Sequence, residues 1–418
     1  MRWSDLAPGE VGPGGGALRV AQFALLVLAF ALPFSIAITE GALVLGLAAL
    51  AVSRARGREF RFERSWLEPA SLALIGAWLL STAFSNEKLD SLIHVRKLYA
   101  IGLIYLTAEA ARDPRVRSRI VPMLLMGAAL TVAVGFLIYA ASITRDPEYR
   151  MKSLLSNQMT SGGVLASVLL WALAAAAGRR DRGRWAYAAA IVPLTAGLVL
   201  TQTRSHWLGA AAGAAMILLS LAPKWWWTLP IGIAALARFA PARLASRLFS
   251  IVDVHDPGNQ GRLSMWRSGL DIIREHPLVG VGCQDLLALY RRYRYPDATF
   301  ESGHFHNNFI QIAVMTGAVG LAAFVFWLVA AARQMVRARR AATRREDVAL
   351  VTGAIAVFAA MLVAGMFDFT FGDAEVMYQS YLGLGLALAI IGCSPNLALR
   401  DSPRVGILPS SPPSVAAP

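Results

Sequence analysis

Charge and cysteine are both scarce in this chain of 418 residues. Asp, Glu, Lys and Arg make up only 16% of it, and two residues are cysteine. So little charge excludes an ordinary soluble fold, which needs a larger polar surface at this length. On the topology predicted below, Cys283 and Cys393 lie on opposite sides of a membrane. They therefore cannot pair, and a disulfide framework is excluded.

Hydrophobic residues, by contrast, make up 56% of the chain. Apolar runs of about 20 residues recur along it, and each is long enough to cross a bilayer as a helix. We therefore predict an all-α, polytopic integral membrane protein with about 12 transmembrane helices and one long helical periplasmic loop. The predicted spans are residues 17–38, 39–53, 66–84, 97–111, 119–142, 159–178, 185–203, 205–221, 224–238, 307–333, 347–366 and 376–393.

Positive charge orients the predicted bundle, because cytoplasmic loops are enriched in Lys and Arg. With a cytoplasmic N terminus, the inner segments hold 24 of the 40 Lys and Arg residues. The net charge of +14 is therefore explained mostly by membrane topology. Because the inner Lys and Arg residues are divided among several short loops, they argue against nucleic-acid binding. Nine arginines in the predicted outer loop 238–294 are not required by topology, so they indicate an anionic partner.

The chain divides into four predicted regions. Residues 1–238 carry nine spans, 239–306 form a periplasmic loop subdomain with the active site, and 307–393 carry three more spans. Residues 394–418, rich in Pro and Ser, form a cytoplasmic tail that we expect to be disordered. The predicted helices of the loop cover 241–251, 262–275 and 284–294.

Two histidines mark the point where the long loop meets a span. His304 and His306 stand in residues 303–309 (Gly-His-Phe-His-Asn-Asn-Phe), just before an apolar run. There they can exchange protons near neutral pH, at the depth of a lipid headgroup, which suggests chemistry on a lipid-borne substrate. On an extended segment they would share a face. Metal binding is the alternative, but no third ligand is evident, so the sequence favours a general base.

Two arginines are candidates for holding an anion. Arg262 is predicted in the first turn of the second loop helix, where the free N–H groups and the helix dipole favour negative charge. Its guanidinium could grip phosphate oxygens in a bidentate manner, or it could simply pair with Asp256 or Glu275. Arg204 stands in a tight polar hairpin between two spans, where the alternative is an arginine that only reaches the membrane interface.

The last predicted outer loop contains a small group of acids. Its members, Asp368, Asp373 and Glu375, could orient or polarise a histidine, as a carboxylate partner commonly does. The alternative is that they are solvated turn residues.

An ordered set of motifs resembles the O-antigen ligase and polymerase superfamily, and most closely the lipopolysaccharide O-antigen ligases. The motifs are Thr-x-Thr-Arg at 201–204, Gly261-Arg262 followed by Trp266 and by residues 276–282, and His-Asn-Asn-Phe at 306–309. The resemblance implies a bacterial (Gram-negative) inner-membrane glycosyltransferase whose active site faces the periplasm. Its donor would be a glycan on undecaprenyl pyrophosphate, its acceptor a sugar hydroxyl of lipid A–core, and its other partners membrane lipids. Transfer would invert the anomeric carbon without a metal or cofactor.

The resemblance also assigns roles to residues. His306 would be the catalytic base, with His304 as its rival two residues away. Arg262 and Arg204 would hold the pyrophosphate, and Arg267 on the same predicted helix is a further candidate. Beyond the roles that the resemblance implies, Trp266, Asp368 and Asp373 are candidate auxiliary residues.

Three other functions remain open. A polymerase of the superfamily is less favoured, because no arginine of the loop is followed by Gly sixteen positions later. A protein oligosaccharyltransferase often has a C-terminal soluble domain, for which we find no segment. A transporter would place charges in mid-span and show inverted repeats or broken helices, whereas here the polar residues gather at one face.

The predicted topology can be tested by cysteine labelling. In intact spheroplasts, a membrane-impermeant reagent should label Ser302→Cys in the long loop and should miss Ala341→Cys, because the charge alternation places these sites on opposite sides. The reverse pattern would overturn the topology and the site assignment with it.

Overall fold

The protein is all-helical in the part described here. The computed structural model describes residues 14–58, 65–155, 157–284, 286–296 and 298–393, which form α-helices and two short 3-10 helices without a strand. The predicted tail 394–418 lies outside these residues. The helices of the bundle are α1 (Gly15–Ala31), α2 (Ile36–Ala55), α3 (Leu67–Phe84), α4 (Lys88–Val95), α5 (Gly102–Ala110), α6 (Pro114–Ile143), α7 (Gln158–Gly178), α8 (Arg184–Thr201), α9 (Arg204–Leu221) and α10 (Thr228–Phe239). The long loop contains α11 (Ala242–Phe249), α12 (Pro257–Glu275) and α13 (Leu286–Tyr293), and the last helices are α14 (Asn308–Ala341), α15 (Arg345–Ala364) and α16 (Ala374–Gly392).

Eight described helices are long and apolar enough to cross a membrane, which confirms the predicted polytopic membrane class. They are α2, α3, α6, α7, α8, α14, α15 and α16. The count of twelve is not confirmed. The predicted span 97–111 is a 3-10 segment followed by the nine residues of α5, and 224–238 becomes the 12-residue α10. Twelve residues rise only about 18 Å, short of a hydrocarbon core of about 30 Å.

The predicted inner and outer segments gather at opposite ends of the bundle. At one end Arg117 pairs with Asp347 at 3.1 Å, and Arg345 donates to the carbonyl of Gly178 at 2.8 Å. At the other end the segment 144–157, the hairpin 201–204, the long loop and the segment 365–373 contact one another. The chain therefore has one strongly polar end built from several distant segments.

Residues 277–282 fasten the long loop to a break in α14. Gly317 interrupts that helix with a φ of 63°, which leaves backbone groups free on both sides of it. Ala318 and Val319 donate to the carbonyls of Pro277 and Leu278, while Val281 and Gly282 donate to Val314 and Met315. The segment therefore supplies the hydrogen bonds that the break removes.

Replacing Gly280 by Ala should destabilise the fold. Gly280 has a φ of +67°, and a Cβ there would lie 2.5 Å from the backbone of Met315 and Thr316. We expect a cost of at least about 2 kcal/mol, because the backbone conformation and the close approach both oppose a side chain. Thermal unfolding of the purified protein in detergent measures it. Gly232→Ala is the control, since its Cβ would meet nothing within 4 Å; equal effects would refute this account.

Helix α12 differs from its prediction in one respect that matters for function. It begins at Pro257, five residues earlier than expected, because Asp256 caps it by accepting from Asn259 N at 3.1 Å. Proline is well suited to the first helical position. Arg262 therefore lies in the second turn, and the prediction that it occupies the first turn, with the helix dipole behind it, is wrong.

Candidate active site

The site begins where the long loop joins α14. Asn307 caps this helix, its side-chain oxygen accepting from Phe309 N at 2.9 Å and Ile310 N at 3.1 Å. Its amide nitrogen donates to the carbonyl of Met366 at 3.0 Å. Asn308 donates to Thr370 Oγ1 at 2.9 Å through its side chain. Both asparagines thus bind the start of α14 to the segment 365–373.

This connection places His306 against Asp368. The residues are far apart in sequence, yet His306 Nδ1 lies 3.2 Å from Asp368 Oδ1, with side chains 12% and 10% exposed. His306 has a φ of 47°, in the left-handed region that is uncommon for residues other than glycine. Burial by itself would raise the pKa of Asp368, but the hydrogen bond with His306 and the nearby histidines outweigh it. The pKa therefore lies well below the usual range, and Asp368 is a carboxylate that can orient an imidazole, one of its two predicted alternatives.

His304 lies beside this pair, but its surroundings disfavour the charged form of its imidazole. Its ring is 4.2 Å from that of His306 in an edge-to-face arrangement, so the two share a side as predicted. The segment is not simply extended, however, because His306 has a left-handed backbone. Burial, and then the neighbouring His306, lower the pKa of His304 to about 4. His304 is therefore neutral near pH 7 and a weak proton acceptor.

The same three side chains could hold a metal ion. The ligand atoms of His304, His306 and Asp368 all lie within 4.8 Å of one another. Two imidazoles and a carboxylate suit zinc or a similar transition metal. The sequence argument that a third ligand is missing is thus corrected, since Asp368 becomes a neighbour only in the folded chain.

A cluster of five arginines lies next to the histidines: Arg150, Arg204, Arg243, Arg247 and Arg262, hereafter the arginine cluster. Two of them have carboxylate partners, Arg204 with Asp256 at 2.9 Å and Arg243 with Glu148 at 3.3 Å. The other three form no ion pair within the part of the chain described. The cluster therefore has an excess of positive charge.

Arg262 connects the cluster to the histidines. Its Nε donates to the carbonyl of Phe367 at 3.0 Å, directly beside Asp368. Burial, followed by the charge of Arg204, lowers the pKa of Arg262. Neither Asp256 nor Glu275, the partners considered for it from sequence, forms an ion pair with it within the described residues.

Arg204 makes more contacts than the alternative prediction, an arginine that only reaches the membrane interface, would require. It is buried, and its guanidinium donates to Ser250 O and Oγ at 2.8 Å as well as to Asp256. It therefore joins the start of α9 to the N terminus of α12 and positions the surrounding arginines.

Arg150 was missed by the sequence reasoning, and Arg247 was counted only among the nine arginines of the outer loop. Arg150 donates to the carbonyls of Thr201 and Gln202 at 3.0 Å, at the C-terminal end of α8. Burial and the charges of the other four arginines lower its pKa to about 10. Arg247 has a buried Nε without a hydrogen-bond partner in the described structure. A multivalent anion would relieve the repulsion among these groups.

Trp266, Arg267 and Asp373 are the remaining residues that the sequence predicted for the site. Trp266 packs against Phe367, with 6.4 Å between ring centroids. Arg267 is exposed on another face of α12, where its charge acts on Tyr295, and it does not join the arginine cluster. Asp373 accepts from Thr160 Oγ1 at 2.6 Å, not from a histidine in the described contacts.

The fold and the site together define a polytopic membrane protein with a histidine–carboxylate pair and an arginine cluster at one end of its bundle. Residues 188–325 match the family described as O-Antigen ligase, a match that covers about a third of the chain and includes His304, His306, Arg204 and Arg262. The match supports the O-antigen ligase and polymerase superfamily, and with it a membrane enzyme of the glycan-transfer type. No curated protein matches it.

Arg262→Ala should slow glycan transfer about a hundredfold, because a contact with developing phosphate charge worth about 3 kcal/mol is lost. Arg262→Lys should recover only part of the rate, since an ammonium lacks the bidentate fork. Single-turnover rates of the purified variants measure both. Arg184→Ala, at the opposite end of the bundle, is the control and should be unaffected. A near-normal rate for Arg262→Ala would remove this residue from the site.

Proposed function

We propose that this protein is an O-antigen ligase, an inverting and metal-independent glycosyltransferase of lipopolysaccharide biosynthesis. It moves a polysaccharide from undecaprenyl pyrophosphate to a sugar hydroxyl of lipid A–core at the periplasmic face of the inner membrane. One observation carries the proposal: a base already paired with a carboxylate, His306 with Asp368, lies beside an arginine cluster suited to a diphosphate. The family match supports the class of reaction.

The chemistry is a single displacement at the anomeric carbon of the donor. The acceptor oxygen forms the new bond to that carbon as the bond to the pyrophosphate oxygen breaks. The acceptor proton passes to His306, and undecaprenyl pyrophosphate departs with the electron pair of the broken bond. Since the nucleophile enters opposite the leaving group, the configuration inverts.

Each group in the site has a part in this step. With Nδ1–H donating to Asp368, His306 presents Nε2 to the acceptor hydroxyl. Asp368 holds the ring and stabilises the imidazolium that forms, as a carboxylate does in a catalytic triad. His304 is a weaker candidate for the base, because its pKa of about 4 leaves it little affinity for a proton.

The arginine cluster would carry the charge of the leaving group. Arg262 is next to the histidine pair, while Arg150 and Arg247 lie further into the cluster without a carboxylate partner in the described chain. Arg204, already bound to Asp256, would mainly hold the others in position. Fixed positive charge in a site shielded from water stabilises a departing diphosphate strongly.

Acceptor choice separates the ligase from a polymerase of the superfamily. Purified protein in detergent should be supplied with a lipid-linked glycan donor and either lipid A–core or a second lipid-linked glycan. Transfer to lipid A–core supports the ligase activity. Extension of the second glycan would instead identify the protein as a polymerase. Turnover without two compartments would exclude a transporter.

His306→Ala should abolish transfer while donor binding stays largely intact, because no group remains to take the acceptor proton. His304→Ala should lower the rate less. Asp368→Asn should lower kcat at least about a hundredfold, since the ring loses its orienting carboxylate. Rates and donor affinity of the purified variants measure these effects.

The two histidine variants also decide which residue is the base. A larger loss in His304→Ala than in His306→Ala would make His304 the base. Normal activity in both His304→Ala and His306→Ala would exclude a histidine base.

Exhaustive treatment with EDTA should leave transfer at full rate, because the arginines can neutralise the leaving pyrophosphate. The measurement is decisive here, since His304, His306 and Asp368 are placed to bind a metal. Activity lost with EDTA and restored by zinc, magnesium or manganese would show that these side chains act as ligands instead.

A further inference from the structure

A large cavity lies beside the His306–Asp368 pair and is lined by both His304 and Asp368. It has a volume of about 650 Å³ and is lined by residues of several helices, among them Glu40, Tyr99, Thr160 and Tyr378. None of the five members of the arginine cluster lines it. Its size is within the range of about 300–1,000 Å³ that is usual for small-molecule sites.

The charge of this cavity is opposite to that of the arginine cluster. Four carboxyl groups line it, from Glu40, Asp368, Asp373 and Glu375, and Lys97 is the single Lys or Arg among its lining residues in the described chain. A diphosphate would be repelled there. Hydroxyl groups would bind favourably there, because carboxylates accept the hydrogen bonds that hydroxyls donate.

Asp373 and Glu375 form a pair that can both donate and accept hydrogen bonds. Asp373 Oδ2 accepts from Thr160 at 2.6 Å, whereas Oδ1 is buried and meets no donor when both carboxyls are ionised. A hydrogen bond between the two carboxyls needs a proton on one of them. Burial, together with the charge of Asp368, raises the pKa of Asp373, which favours such a proton.

His206 contributes a buried polar atom without a described hydrogen-bond partner to the wall of the cavity. Its side chain is 4% exposed, lines the cavity, and has no hydrogen-bond partner for Nε2 in the described structure. Buried polar atoms are nearly always hydrogen-bonded. His206 Nε2, together with the Asp373–Glu375 pair, therefore points to a ligand rich in groups that donate and accept at once, as sugar hydroxyls do.

We propose that this cavity is the acceptor site, and that Asp373, Glu375 and His206 bind the uncharged, hydroxyl-bearing sugar that receives the glycan. The inference rests on the proposed function and adds the location and chemistry of the second substrate. His304 lines the cavity, and its ring is 4.2 Å from that of His306, so an acceptor held there is close to the base. A donor on the arginines and an acceptor in the cavity would approach from two sides, as inversion requires.

The test compares the two Michaelis constants of Asp373 variants in the full-length protein. Asp373→Ala should raise KM for lipid A–core about tenfold or more, and KM for the lipid-linked donor should change by less than about twofold. Asp373→Asn, of the same shape, should give a smaller rise, because its amide still donates and accepts hydrogen bonds although it cannot share a proton with Glu375. Asp181→Asn is the matched control, since this exposed acid pairs with Arg179 at the opposite end of the bundle.

Direct binding of lipid A–core to the protein without donor separates failure of this inference from failure of the proposed function. Binding that weakens in both Asp373 variants supports the acceptor site even if the wild type transfers nothing, in which case the proposed function fails alone. A rise in donor KM that grows with glycan length would mean that the cavity holds donor sugars, and it overturns the proposal. An effect on kcat with both KM values unchanged overturns it as well.

Discussion

The hydrogen bonds from Asn307 and Asn308 to the segment 365–373 are the constraint on which the rest of the site depends. They join the start of α14 to the loop before α16, and so bring His306 to Asp368. The same loop accepts a hydrogen bond from Arg262 through Phe367. A shift of this one connection would therefore move the base, its carboxylate and the nearest arginine relative to one another.

Around that connection the charges are sorted into two regions. Five arginines lie on one side, with two ion-paired carboxylates, and a cavity with four carboxyl groups opens on the other. Keeping like charges together in a partly buried site is unfavourable unless ligands of complementary chemistry occupy it. The proposed reaction has two such ligands, an anionic donor and a hydroxyl-bearing acceptor, and each fits one region.

Local patterns were sufficient for much of the fold. Long apolar runs predicted the membrane class, and three helices occur in the long loop near their predicted positions. The errors have local causes too. The run at 224–238 is apolar, but only Thr228–Phe239 is α-helical. Apolar composition does not predict where in the run the helix begins. Arg262 was misplaced because the cap formed by Asp256 and the proline after it start α12 earlier than the apolar pattern does.

What the sequence by itself determined is the membrane class, the grouping of loops at two ends, and the candidates His304, His306, Arg204 and Arg262, because residue type and spacing along one segment carry those signals. Only the tertiary structure decided which groups meet. Asp368 reaches His306 across a separation of 62 residues, and Arg150 joins the arginine cluster from a loop that bears no motif. Such contacts depend on how helices far apart in the chain pack together, and no local pattern encodes that packing.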